Sequence, residues 1–485
     1  MIMSRIGKRK NKIINKTLEE LVPQNHLVRK LENCIDYRFI EEEVKHLYSP
    51  IGAPSIPPVV LFKMAFINII FDIHSMRKTA EECQVNVAYR WFLHLEMDDS
   101  VPNFSTFSQN YRRKYQKDDI FYKIFVKILK QAEEYGLLNY ESVYIDSTHQ
   151  KANANKNKHI NTKVELVAKC FEEELLEEIN AVRKNKGQRE FSSITKEELV
   201  YDEETGESKK VAITKQIKES KTDPESGYYH KGEKEKMFAY SHHVAVEKNG
   251  FVIHTCVISG NIHDSVSFFP VIKDLKQEHS NKRIKNLVLD AAYFTPAICR
   301  DIIHSEWIPL MPYVRPRTKK GFFKKYDYVY DEYYDCYICP NNQILTYHTT
   351  DRKGYKYYRS KVDVCEKCKD LQRCTKSKTY QKIITRHVWE EYKEITQENR
   401  YTQNWKENYP LRKETIERCF GECKEHHTLR FTRLKGIQKN QDNSYMIFAS
   451  YNLKKMALKF NKKPKYYKKK WLLTKNHDRL SLSTA

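Results

Sequence analysis

Three acidic residues stand far apart in this chain, each in a setting that suits metal-dependent phosphoryl transfer. They are Asp146 in Val143-Tyr-Ile-Asp-Ser-Thr148, Asp290 in Leu287-Val-Leu-Asp-Ala-Ala-Tyr293, and Glu417 in Glu414-Thr-Ile-Glu-Arg-Cys-Phe-Gly421. The first two end short apolar, β-branched runs, and strand C-termini are where α/β sheets present functional groups; the third falls in a helical stretch. Together they read as an Asp-Asp-Glu metal site. Two Mg²⁺ or Mn²⁺ ions held between such carboxylates activate a water or a hydroxyl and stabilise the leaving oxygen of a phosphodiester.

Each motif also has a plainer reading. Asp146 is followed by Ser147, Thr148 and the polar run 149–158, so its strand is expected to end at an exposed loop, where an aspartate serves equally as a turn cap. Tyr293, close behind Asp290, is expected to be available to substrate or a phosphate. Glu417 and Lys424 are two helical turns apart and share a face with Phe420 between them. That spacing lets the carboxylate reach metal while the ammonium reaches a phosphate, or it is an ordinary surface pair. The basic run Arg430, Arg433, Lys435 weighs against the surface pair.

A second cluster has metal-ligand spacing: Cys336-Tyr-Ile-Cys339, Cys365-Glu-Lys-Cys368 and Cys374. Two Cys-x-x-Cys knuckles suit tetrahedral Zn²⁺ bound by four thiolates, with free thiols as the alternative. Five cysteines compete for four places, and the choice is open. Such a zinc would be structural or would help contact nucleic acid. His242, His243 and His263 are read as packed or surface histidines, and Asp264 as a helix cap.

Composition names the partner class. The chain has 485 residues and a formal charge of +23, from 86 Lys and Arg against 63 Asp and Glu. An excess of that size favours a polyanion through phosphate neutralisation and counterion release, and nucleic acid leads. The longest apolar stretch, 58–73, carries Lys63 and Asp72 and is too short for a bilayer, so a buried helix is expected and no membrane partner. The first 16 residues are basic and polar, unlike a secretory leader, so a cytoplasmic location is expected, with twelve cysteines as thiols or metal ligands. Lys462 to Lys470 mixes lysines with Tyr466 and Tyr467, a tail that either clamps DNA backbone or is solvated.

These groups need elements to position them. Apolar residues at helical spacing predict an all-α region over 1–135, including a helix near Ser105 to Tyr135 capped by Asn103 or Ser105. Beyond it the pattern predicts a strand ending at Asp146 and a hairpin around Asn249-Gly250. A helix after Asp264, strand 287–290, a helix at Thr295-Pro296 and strand 307–314 follow. Strand, hairpin, helix, strand, helix, strand, helix is similar to the ribonuclease-H-like α/β fold, with a mixed sheet. The core is expected in 136–154 and 237–314, and the Glu417 helices in 406–460. A charged insertion or lid is expected over 155–236, with a helix over 164–185. The cysteine-rich insertion takes 315–405 and a basic tail 461–485.

The motifs, taken together, resemble those of bacterial insertion-sequence transposases of the DDE class, in the branch with a Tyr-Arg-Glu-Lys signature. The resemblance runs through Leu21-Val-Pro-Gln-Asn-His-Leu-Val-Arg29, Pro102-Asn-Phe-Ser-Thr106, Ile145-Asp-Ser-Thr148, Lys151-Ala-Asn-Ala-Asn-Lys156 and Leu289-Asp-Ala-Ala-Tyr293. It implies Asp146, Asp290 and Glu417 as metal-binding acids, with Tyr409 and Lys424 as flanking signature residues. The arginine position departs from the pattern: Lys413 stands at the spacing expected from Glu417, and Arg412 at that from Tyr409. Asn103 replaces the usual Asp. DNA contacts are expected from Tyr409, Arg412, Lys413, Lys424, Arg430 and Arg433. The resemblance implies a nucleoid-associated enzyme that binds terminal inverted repeats and performs metal-dependent cleavage and strand transfer. It also implies a helical N-terminal end reader and a homodimer on paired ends. A structure-selective nuclease of the same fold, or a domesticated DNA-binding protein without catalysis, are the alternatives.

Overall fold

The computed structural model describes Ile13 and residues 15–165, 171–194, 197–201, 208–212, 214–231, 235–280, 282–315 and 318–460. The expected tail 461–485 lies outside them. The described residues divide into two compact units, one from positions up to 138, 421–430 and 441–460, the other from within 139–420 and 431–440.

In the first unit, helices α1 (Leu18–Leu21), α2 (Leu27–Cys34), α3 (Phe39–Val44), α4 (Pro58–Ile70), α5 (Met76–Val85), α6 (Val87–Leu93), α7 (Phe104–Arg113) and α8 (Ile120–Glu134) follow one another. Local chemistry sets their starts. Thr17 and Glu20 form a capping box, Pro58 occupies the first turn of α4, and Asn103, rather than Ser105, caps α7 by accepting from the Ser105 amide at 3.0 Å. Helix α4 is apolar nearly all round and is buried accordingly, with Phe62 and Phe66 fully enclosed. Burying each such ring contributes about 2–3 kcal/mol. Its one charge, Lys63, is satisfied internally, donating to Glu32 Oε2 at 2.8 Å and to the Phe92 carbonyl at 2.9 Å. No described helix is long and apolar enough to cross a membrane.

The second unit opens with β1 (Ser142–Lys151), β2 (His159–Glu165), α9 (Glu172–Asn185), β3 (Glu197–Tyr201), β4 (Ser208–Ala212), β5 (Thr214–Ser220), β6 (Gly227–Lys231), β7 (Glu235–Glu247) and β8 (Val252–Ser259). It continues through α10 (Asp264–Glu278), β9 (Asn286–Val288), α11 (Pro296–His304) and β10 (Ile308–Leu310). The core strands lie in the order β10-β9-β1-β7-β8. β1, β7 and β8 are antiparallel, and β9 and β10 run parallel to β1. That order and those directions are the ribonuclease-H-like arrangement. The hairpin turns at Gly250, whose φ of 81° is left-handed, and Thr295 caps α11 by accepting from the Ile298 amide.

Two expectations are corrected here. β1 does not stop at Asp146 but runs on to Lys151, because β7 is long enough to pair with it from Val143 to Lys151. The polar residues after Asp146 alternate across a sheet instead of forming a loop. The charged stretch 155–236 likewise supplies β6, β5 and β2, which extend the sheet from the first half of β7. Its helix starts at Glu172, since 159–165 is strand. Charge hid these strands, as sheets covered on one face need few apolar residues.

Next come β11 (Val329–Asp331), β12 (Cys336–Ile338), β13 (Ile344–Thr350), β14 (Tyr355–Arg359), α12 (Val362–Glu366), α13 (Leu371–Cys374), β15 (Ile383–His387) and α14 (Glu390–Glu398). β11 to β15 form a separate antiparallel meander around Tyr328, Tyr337, Leu345, Tyr358 and Ile384. Helices α15 (Gln403–Asn408), α16 (Ile416–His426) and α17 (Ile437–Phe460) close the described chain, the last two each shared between the units.

Candidate active site

The parallel register between β1 and β9 builds the first half of the site. Ser142 lies against Asn286, Val143 against Leu287 and Tyr144 against Val288. Asp146 and Asp290 each follow the last matched pair, Tyr144 and Val288, by two residues, Asp290 lying just past the end of β9. Both are half-buried. Asp290 caps the short turn Ala291–Tyr293, its Oδ1 accepting from the Ala292 amide at 2.9 Å, which leaves its other oxygen without a protein partner among the described residues. Tyr293 is not available to a ligand: it is fully buried, with its hydroxyl 3.5 Å from His243 Nδ1. Burial, reinforced by the charge of His149, pushes His243 down to about 3, so it packs here as neutral imidazole.

The second half arrives from the other end of the unit. Asn408 ends α15 and is tied to the sheet by a buried amide lattice. Ser142 Oγ donates to Asn408 Oδ1 at 3.0 Å, and the Tyr144 hydroxyl donates to its carbonyl at 3.1 Å. Asn286 Nδ2 donates to Ser142 Oγ at 3.0 Å, and Asn404 Nδ2 to Asn286 Oδ1 at 2.7 Å. Trp405 donates to the Met311 carbonyl at 2.9 Å and stacks on Tyr409, with rings 4.7 Å apart and 7° from parallel. Sequence reasoning missed this lattice. Its trace is a polar residue, Ser142 or Asn286, opening each apolar run, but nothing local couples them to Asn408.

The lattice anchors Asn408, next to Tyr409 in the chain, and Arg412 follows to meet Asp146. Arg412 is 6% exposed, and its Nη2 donates to Asp146 Oδ2 at 2.6 Å while Ser147 N donates to Asp146 Oδ1 at 2.8 Å. Arg412 Nη1 is buried with no partner. Lys413, by contrast, is exposed. The Tyr409 phenol is pushed up by burial, eased by Arg412, and raised further by the charges of Asp290, Glu417 and Asp146. All three acids thus lie within electrostatic reach of one ring. Glu417 is exposed on the first turn of α16 and makes no ion pair among the described residues, while Ile416, Cys419 and Cys423 bury the opposite side. Lys424 lies partly exposed further along α16, and Arg433 is exposed. Arg430 pairs with Glu425, a surface contact of small energy.

The donor set suits a hard divalent cation: carboxylate oxygens around a buried guanidinium. The side chains do not converge in this structure, where no three His, Cys, Asp or Glu among the described residues are grouped to hold a metal. Arg412 instead supplies the positive charge at Asp146.

The cysteines divide. Tyr337 and Cys339 pack on the tyrosine core of the meander together with Cys374. Cys374 accepts from or donates to the Tyr328 hydroxyl at 3.1 Å, and its thiol is raised by burial and by the neighbouring Cys365 and Cys339. Cys368 Sγ accepts from Asn341 Nδ2 at 3.2 Å. Cys336 is one residue out of phase with Tyr337, so it points to the opposite face of β12, where burial and then Asp331 and Asp335 raise its thiol.

A family model described as Transposase domain (DUF772) matches residues 16–113, and one described as Transposase DDE domain matches residues 338–457. No curated protein matches the chain. Among solved structures it is similar to the Mos1 transposase paired-end complex with left transposon end, at 10% identity over 54% of this chain and 61% of that one, TM-score 0.16. It is also similar to the piggyBac transposase synaptic complex with hairpin DNA, at 7% identity over 90% and 73%, TM-score 0.29. A third is the Mos1 mariner paired end complex with Mn, at 12% identity over 57% and 65%, TM-score 0.16. The chain spans about three fifths of the Mos1 chain it matches first. Strand order, rather than these likenesses, carries the fold. Asp146 and Asp290 lie outside both family models and Glu417 inside the second. A transposase model thus matches on each side of the ribonuclease-H-like sheet, and the one described as Transposase DDE domain spans Tyr409 to Lys424.

Proposed function

We propose that this chain is a DDE transposase that cleaves DNA at the terminal inverted repeats of an insertion sequence and joins the cut ends to target DNA, with Asp146, Asp290 and Glu417 as its catalytic acids. The observation that supports the reading is that Asp146 and Asp290 each follow the parallel β1–β9 register by two residues, with Arg412 hydrogen-bonded to Asp146 and the charges of all three acids felt at Tyr409. Two divalent ions, Mg²⁺ or Mn²⁺, held by the three carboxylates would supply an activated nucleophile and neutralise charge at the scissile phosphate. Asp290 offers an oxygen free of protein partners, and Glu417 a side chain free to turn inward. Arg412 has one nitrogen on Asp146 and one buried and unpaired, so a phosphate oxygen is the ligand it lacks. That favours Arg412 over Lys413 as the signature arginine. Tyr409, stiffened by Trp405, offers its edge to the same phosphate. Lys424, Arg430 and Arg433 would add backbone contacts, the helical unit would read the end sequence, and a homodimer would hold two ends beside the nucleoid.

Zinc belongs to the same proposal as a structural ion. Cys339, Cys365, Cys368 and Cys374 would hold it on drawing together, with Cys336 left out: Cys339 and Cys365 lie near Cys374, while no three thiols among the described residues are grouped for a metal in this structure.

The test is a labelled duplex carrying the flanking inverted repeat, incubated with Mg²⁺ or EDTA, beside Asp290→Asn. Cleavage at the repeat boundary that needs both Mg²⁺ and Asp290 is expected, with the variant slower by about a thousandfold or more. Undiminished cleavage by the variant removes Asp290 from the site. Binding without any cutting by the parent protein supports a non-catalytic DNA-binding role instead, and cutting of branched DNA without end joining supports a nuclease.

A further inference from the structure

We infer that residues 151–158, together with residues 433–435, form a track for the sugar-phosphate backbone of duplex DNA, leading away from the carboxylates. The inference rests on the transposase reading and adds a surface to it. From the end of β1 onward the chain keeps a strand-like alternation: Lys151, Asn153 and Asn155 are exposed, whereas Ala152 and Ala154 turn inward on Phe238, Tyr240 and Val257. Small residues inside and long polar residues outside make a flat ledge. The turn that follows adds Lys156 and Lys158, both exposed.

A segment distant in sequence is stitched to this ledge. Lys151 bridges Phe431, the Thr432 amide donates to the Lys151 carbonyl at 2.9 Å, and Asn153 Nδ2 donates to the Arg433 carbonyl at 3.1 Å. These contacts fix the backbone from Phe431 to Arg433 beside Lys151 and Asn153, with Lys435 two residues further on. All five cations are exposed, and none forms an ion pair among the described residues. Some lysines elsewhere in this unit are neutralised, as Lys325 is by Glu390 and Lys248 by Glu141. Two carboxylates on the adjoining loop are already engaged: Asp223 accepts from the Tyr240 hydroxyl at 2.8 Å and the Gly436 amide at 3.1 Å, and Glu225 accepts from the Ile437 amide. A cluster of unpaired cations on a rigid ledge is an electrostatic site for phosphates.

Geometry fits a duplex. Five residues of extended strand separate Asp146 from Lys151, roughly 16 Å, or about five base pairs along the helix axis. A duplex whose scissile phosphate lies at Asp146 would lay its next half-turn over the lysines.

The experiment measures binding of the full-length protein to a repeat-end duplex in EDTA across a range of salt concentrations. It compares the parent, Lys151→Gln/Lys156→Gln/Lys158→Gln, and Arg433→Gln/Lys435→Gln. Each lost phosphate contact flattens the plot of log K against log salt by about 0.9, so slopes are expected to fall by about 2.7 and about 1.8. The charge-preserving Lys151→Arg/Lys156→Arg/Lys158→Arg variant is expected to restore the parent slope, which a merely structural role for the lysines would not predict. Slopes equal to the parent's in both Gln variants overturn the track. If the parent still cleaves in an Asp290-dependent way, only the track has failed; if the parent binds no duplex, the transposase reading fails and the track with it.

Discussion

The carboxylates and the cysteines make opposite uses of sequence distance. Asp146 and Asp290 are far apart along the chain, yet each lies two residues past the end of one parallel register, after Tyr144 and Val288. Cys336 and Cys339 are near neighbours, yet Cys339, just past the end of β12, packs on the tyrosine core and Cys336 does not. Spacing along a chain predicts proximity only when the local backbone is known: within a strand a step of three changes the face, whereas within a helix it keeps it. The two regions also differ in how polar groups are held. Around the acids, Ser142, Asn286, Asn404 and Asn408 are joined into one buried hydrogen-bonded lattice. The cysteine end instead rests on a tyrosine core with its thiols in separate contacts.

The largest effect that would break this comparison lies in the cysteines. Replacing Cys368 or Cys374 with Ser is expected to drop zinc from about one ion per chain to near none and to loosen the β11–β15 meander, while Cys336→Ser keeps the metal. Elemental analysis after purification without added metal decides it. Equal loss in Cys336→Ser would refute the choice of ligands, and a zinc-free parent would refute the ion.

A smaller effect sharpens the catalytic side. Asn408→Ala removes the side chain that joins α15 to β1 and leaves Ser142 with an unmatched hydroxyl, at a cost of about 1–3 kcal/mol. Because Asn408 positions Tyr409 and Arg412 without touching substrate, cleavage is expected to slow by about 10–100-fold while end binding changes little. Wild-type cleavage in this variant would show that the lattice supports the fold alone.

The smallest effect comes from acid. His243 beneath the Asp290 turn and His427 are pushed down to about 3, and His387 on β15 to about 4, in each case chiefly by burial. Unfolded, each returns to its ordinary 6.5 and binds a proton that the folded chain refuses. Their stability contributions are therefore complete above about pH 7 and are lost as pH falls from 6.5 toward 3–4, by about 2 kcal/mol each at pH 5. Urea unfolding at pH 7.5 and pH 5 measures it; a flat profile would mean that these imidazoles are open to solvent in the folded chain.

How much could be read beforehand depends on the range of the interaction. The helical N-terminal stretch, the Asn249-Gly250 hairpin, the Thr295-Pro296 helix start and the core strand order were legible because caps, turns and apolar periodicity act over a few residues. The reach of β1 to Lys151 and the strands inside 155–236 were not, since they depend on the length of the partner strand β7 rather than on their own composition. Which cysteines pack on the tyrosine core, and which polar residues hold Asn408, were hidden for the same reason.

By itself the sequence determined the charge, the acidic motifs and the succession of strand, hairpin and helix, all of which follow from side-chain chemistry and local backbone preference. Only the tertiary structure decided that Arg412 rather than Lys413 meets Asp146, that Tyr293 is buried, and that Lys151 and Arg433 lie on one ledge. These are outcomes of register and of long-range packing, in which one hydrogen bond or one step of the pleat selects between residues that look equivalent along the chain.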